Sequence, residues 1–151
     1  MKLEIYDAKS LNFVELNYTG GNETYIRCDR ESRYIDSIVF NLFAPCFENA
    51  NKLYEYYGPT KYNARKIIPL RNELIKHKQS LEGLKNAKDL EKHVSTHFLG
   101  REFIEALGSE EPAWEKSWKT YVDKLIIINK EIIELVEKCA DEEKILWIIG
   151  Y

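Results

Sequence analysis

The chain has 151 residues, 44% of them hydrophobic and 31% charged, with a net charge of −3. That composition is ordinary for a globular protein of one domain, expected here to span 1–151, and it argues against disorder. No apolar run approaches the roughly 18 to 20 residues of a membrane span, and residues 1–6 lack the basic start and apolar centre of a secretory signal, so the expected compartment is the cytoplasm, with no membrane partner.

Leu3 and Ile5 alternate with Lys2 and Glu4, a period of two that predicts a half-buried strand, closed by a turn at Asp7-Ala8-Lys9-Ser10. Val14, Leu16 and Tyr18 repeat the pattern. Thr19-Gly20-Gly21-Asn22 then offers a hairpin turn into a third strand over residues 24–28. The glycine pair lacks the longer frame ending in Gly-Lys-Ser/Thr that a phosphate loop needs.

From Asp29 the period changes, and Tyr34, Ile35, Ile38, Val39, Leu42 and Phe43 predict one helical face, capped by Asp29 or Ser32. At its start, Arg27, Arg30 and Arg33 are spaced by three and would cluster on a helix, where guanidinium forks could bind an anion. Asp29 and Glu31 are interleaved with them and could neutralise the cluster instead. Pro45 is expected to open a second helix through Cys46, Phe47, Ala50, Leu53 and Tyr54, which Gly58-Pro59 stops.

Residues 54–66 combine four tyrosines, a proline turn and basic side chains. Tyrosine and arginine present large contact areas with polar tips, so Tyr56, Tyr57, Tyr62, Arg65, Lys66 and Arg71 are the candidate partner-binding residues. The same rings could stack on bases, but a negatively charged chain with no nucleic-acid motif argues against that partner.

Pro69 is expected to open the next helix, whose seam of Ile67, Leu70, Leu74, His77, Leu81 and Leu84 has heptad-like spacing for packing on another helix. His77 is its one polar member. Leu90, Val94 and Phe98 form another short apolar face, flanked by His93 and His97. Histidines four apart can share a metal, but this pair lacks the glutamate of H-E-x-x-H, and no spacing supplies a third ligand, although His77 or a carboxylate could. No metal or cofactor is assigned on this basis.

Past Gly100 and a helix holding Phe103, Ile104 and Leu107, the chain reaches its longest pattern. Trp114, Trp118, Val122, Leu125, Ile128, Ile132, Val136 and Cys139 recur at helical spacing, and residues 125–128 are apolar all round, which predicts a helix at the centre of the core. Residues 145–149 read as a buried strand pairing with the N-terminal ones. The expected fold is α+β and predominantly helical, with about five helices packed on a small sheet of N-terminal strands and the C-terminal strand.

Cys28, Cys46 and Cys139 have neither disulfide nor zinc spacing and are expected reduced. Charge is segregated: residues 61–92 carry nine basic and four acidic side chains, residues 93–151 seven and twelve. With no catalytic motif in view, the reading is a small protein-binding protein whose partner is another protein or itself, one version being an immunity-type or antitoxin-type binder. The alternative is an enzyme or small-ligand protein with a dispersed site built from Arg27, Arg30, Arg33, His77, His93 and His97.

Overall fold

The computed structural model describes residues 1–8 and 11–151; Lys9 and Ser10, half of the first expected turn, lie outside them. In chain order the elements are β1 (Phe13–Asn17), β2 (Arg33–Asp36), α1 (Ser37–Phe40), α2 (Ala44–Ala50), β3 (Pro59–Tyr62), α3 (Ala64–Glu82), α4 (Ala87–Ser95), α5 (Gly100–Glu110), α6 (Trp118–Asp141) and β4 (Leu146–Gly150), with a 3-10 turn, Trp114–Ser117, leading into α6. The architecture is α+β and predominantly helical.

The four strands form an antiparallel sheet in the order β2-β1-β4-β3. As expected, an N-terminal strand pairs with the C-terminal one, Leu16 opposite Ile148. Because side chains alternate across a strand, Val14, Leu16, Ile35, Tyr62, Leu146 and Ile148 share the face that joins the helical core, while Glu15, Asn17 and Trp147 point the other way. Residues 18–32 cross that second face as a strap. Asn17 Nδ2 donates to the Ile26 carbonyl, Trp147 Nε1 donates to the Gly21 carbonyl, and the Tyr25 ring lies 4.9 Å from that of Trp147. Glu15, fully buried, accepts from the Cys28 amide, Ser32 Oγ, Asn17 Nδ2 and the Tyr151 hydroxyl, so its carboxylate is anchored on every side.

Several local expectations are corrected. Leu3 and Ile5 form no strand; the pairing there is a single bridge between Tyr6 and Tyr34. Residues 24–28 belong to the strap, and the helix expected from Asp29 is instead strand β2 followed by the one-turn α1. α2 stops at Ala50 because the Asn51 side chain turns the chain, its Oδ1 accepting from the Leu53 amide and its Nδ2 donating to the Lys61 carbonyl. α3 begins five residues before Pro69, capped by the Asn63 side chain accepting from the Arg65 amide.

α3 and α6 lie antiparallel, as Arg71 Nε on Glu137 Oε1 at 2.8 Å and His77 on Asn129 show. The seam read from sequence faces α6 with Ile67, Leu70, Leu74, His77 and Leu81 all buried. Cys46 and Cys139 are buried free thiols, and Cys28 is half-buried in the strap. Among the described residues, no helix is long and apolar enough to cross a membrane.

Candidate functional site

Three histidines that the sequence could not join meet in space. His77 comes from the middle of α3, His93 from the last turn of α4, and His97 from the turn 96–99 that leads into α5. One ring nitrogen from each lies within 4.8 Å of the others. Ring centroids are 5.5 Å apart for His77 and His93, 5.0 Å for His93 and His97, and 6.0 Å for His77 and His97.

The turn that delivers His97 is tightly specified. α4 ends at Ser95, Leu99 adopts a left-handed conformation with φ 56°, and Gly100 lies so close to the preceding helix that a Cβ there would stand 2.0 Å from the Val94 carbonyl oxygen. His97 is thereby folded back over its own helix, its Nδ1 donating to the His93 carbonyl at 2.8 Å. The same early stop turns Phe98 outward to 69% exposure, where the sequence pattern had put it on a core face.

Behind the cluster stands Asn129 of α6, a wholly buried amide that the sequence reading passed over. Its Nδ2 donates to the Leu74 carbonyl at 2.9 Å, which fixes its Oδ1 toward His77 Nδ1 at 2.9 Å. An amide oxygen only accepts, so His77 Nδ1 carries the proton and its Nε2 keeps the lone pair. That Nε2 faces His93 Nε2 at 3.4 Å. Burial makes protonation costly and pushes His77 and His93 down to about 4, with the neighbouring imidazoles adding to the effect. The asparagine that ends the apolar run at 125–128 was the one signal in the sequence that something polar lay opposite.

The partner-binding candidates divide. Tyr57 is 76% exposed and Tyr56 is half-buried, its ring 4.6 Å from Tyr57 and 5.7 Å from Phe98 and its hydroxyl donating to Asn41 Oδ1 at 2.6 Å. They flank a cleft of about 260 Å³ lined by Ile38, Leu99, Glu102 and Tyr151 among others. Gly150 lets this segment lie against the end of β4, since a Cβ there would meet the Tyr56 carbonyl oxygen at 2.1 Å. Tyr62 leaves the candidate surface: it is wholly buried, with its hydroxyl donating to the Phe47 carbonyl. Arg65 and Lys66 lie past the far end of β3, a strand of four residues spanning about 13 Å, and Arg71 is engaged by Glu137.

The three arginines form no helical cluster, because residues 27–32 are not helical and Arg33 opens β2. The Arg27 guanidinium lies over the Tyr151 ring at 4.3 Å, Arg30 is exposed on the strap, and Arg33 Nη1 donates to the Glu31 and Ser32 carbonyls.

Comparison with protein-family models, with curated proteins and with solved structures finds no match to this chain.

Proposed function

We propose that this chain is a small binding protein that meets another protein, or a second copy of itself, through the aromatic rim of Tyr56, Tyr57 and Phe98. The observation that carries the reading is the outward display of Tyr57 and Phe98, at 76% and 69% exposure, beside a cleft. Large rings held outward next to a concavity favour docking of a partner's apolar side chain. The cleft's volume, about 260 Å³, suits one anchoring side chain better than a cofactor-sized ligand.

A partner that adds a strand is a poorer fit. The β2 edge is met by Tyr6 through a reciprocal pair of backbone bonds to Tyr34, and the β3 edge is met by Asn51 on the Lys61 carbonyl. Recognition through side chains remains. One specific form is an immunity-type or antitoxin-type protein that covers a toxin, which predicts a toxin or secreted effector encoded beside it.

The test begins with native mass spectrometry of the protein isolated from its own cells. Replacing Tyr57 and Phe98 together by alanine should weaken the partner found there by about 2 kcal/mol or more, roughly 30-fold, while thermal unfolding stays unchanged. Equal affinity in the double variant would sink this surface.

The alternative, an enzyme or small-ligand protein with a dispersed Arg/His site, draws support from its histidines alone. Arg27 lies over the Tyr151 ring and Arg33 donates to strap carbonyls, while Arg30 is exposed on the strap, so the three do not converge.

A further inference from the structure

We propose that His77, His93 and His97 form a three-nitrogen site for a divalent transition metal ion of the zinc class. The inference is independent of the partner surface and rests on three features of the cluster: separation, lone-pair direction and access.

Separation comes first. In a tetrahedral zinc site with bonds of about 2.0 to 2.1 Å, ligand nitrogens stand roughly 3.4 Å apart. His77 Nε2 and His93 Nε2 already stand at 3.4 Å, and one nitrogen from each of the three rings lies within 4.8 Å of the other two. The remaining closure falls on His97, which sits on a turn rather than inside a helix.

Lone-pair direction is the more specific feature. A metal-binding histidine usually donates its other ring N–H to a fixed acceptor, which sets the tautomer and aims the free nitrogen. Two of the three rings meet that condition. His77 Nδ1 donates to Asn129, whose amide is itself locked by the Leu74 carbonyl, and His97 Nδ1 donates to the His93 carbonyl. Both Nε2 atoms are left as acceptors. Without an ion, His93 can meet His77 Nε2 only by donating from its own Nε2 at 3.4 Å; an ion accepts lone pairs from all three rings at once.

Access and chemistry agree. His77 is buried with its ring roughly perpendicular to that of Phe43, centroids 5.0 Å apart, whereas His93 and His97 are half-buried, so an ion enters from their side and a fourth position there is left for water or a partner's group. A neutral all-imidazole donor set favours zinc, cobalt, nickel or copper over calcium or magnesium, which prefer oxygen. Bound there, the ion would tie α3 to the turn that carries Phe98.

The experiment uses chelator-stripped full-length protein with Zn²⁺ and, as a spectroscopic probe, Co²⁺. Expected are one ion per chain, a visible cobalt band of a nitrogen-ligated site, and a rise in the thermal midpoint. His97→Ala, at a half-buried position on a turn, should lose at least about 100-fold in affinity, and Asn129→Leu, which removes the acceptor behind His77 together with the donor to the Leu74 carbonyl, about 10- to 100-fold. Circular dichroism confirms that each variant is folded, and His97→Gln serves if the alanine variant is not. Failure to retain one ion per chain would overturn the proposal. So would retention by folded Asn129→Leu at unchanged affinity with no shift of the His77 ring signals in the wild type on adding Zn²⁺, because a surface His93/His97 pair alone would then account for the binding.

Discussion

At the scale of single residues, His77 and His93 make the stability of the metal-free protein depend on pH in a defined direction. Both are held neutral down to about 4 by burial, whereas in the unfolded chain each protonates near the usual histidine value of about 6.5. Between those limits the unfolded state binds more protons, so stability is full above pH 6.5 and falls as the pH drops toward 4. The loss should reach about 3 kcal/mol for the well-buried His77 across that window, with a smaller share from the more accessible His93. Urea unfolding at a series of pH values measures it, and His77→Gln should flatten the profile. The thiols give a second prediction at this scale. Burial pushes Cys46 up to about 12 and Cys139 up to about 11, so neither supplies thiolate at neutral pH. A thiol reagent should therefore label Cys28 alone in the native protein and all three cysteines after denaturation; fast labelling of two or more in the native state would contradict the packing around α2 and α6.

At the scale of elements, the turn between α4 and α5 supports both the histidine cluster and the outward Phe98. Gly100→Ala would force a methyl group against the Val94 carbonyl, so the turn must shift, and the expected cost is about 1 to 3 kcal/mol in thermal or chemical unfolding. A neutral substitution would mean that the turn is looser than its contacts indicate. This element also marks the limit of what could be read from sequence. The long helices were legible because Leu70, Leu74 and Leu81, or Leu125, Ile128, Ile132 and Val136, repeat their spacing over several turns. The four-residue β2 was hidden, since Tyr34 and Ile35 run on into Ile38 and Val39 at spacings that also fit a helix. β3 was hidden because Pro59-Thr60-Lys61-Tyr62 shows too short an alternation, and nothing in its local sequence marks Tyr62 as buried. The pair His93 and His97 was visible as a spacing. His77 could be named only as one possible third ligand, because it lies sixteen residues earlier on a different helix and reaches the pair only through tertiary packing.

At the scale of the whole molecule, helices and sheet share one core. Ile148 on β4 packs into the same apolar cluster as Leu74 on α3 and Ile132 on α6. Ile148→Ala should therefore cost about 2 to 5 kcal/mol, with far-UV dichroism and tryptophan fluorescence moving through one coincident transition. Two separated transitions would show that the sheet and the helices unfold as independent units. The segregated charge is not a free field at every point, since Arg71 of the basic stretch is paired with Glu137 of the acidic one.

The place of β4 between β1 and β3 also orders events in time. Both neighbours pair only with residues 146–150 on their inner sides, and those residues are made after all the helices. A chain leaving the ribosome can coil α3 and α6 from local contacts, yet β1 and β3 have no strand to bridge them until translation has passed residue 150. During that interval Leu16 has only β2 beside it and Tyr62 has no strand partner, which makes this the stretch of the molecule's life in which a chaperone, or a partner already waiting, has the most to protect.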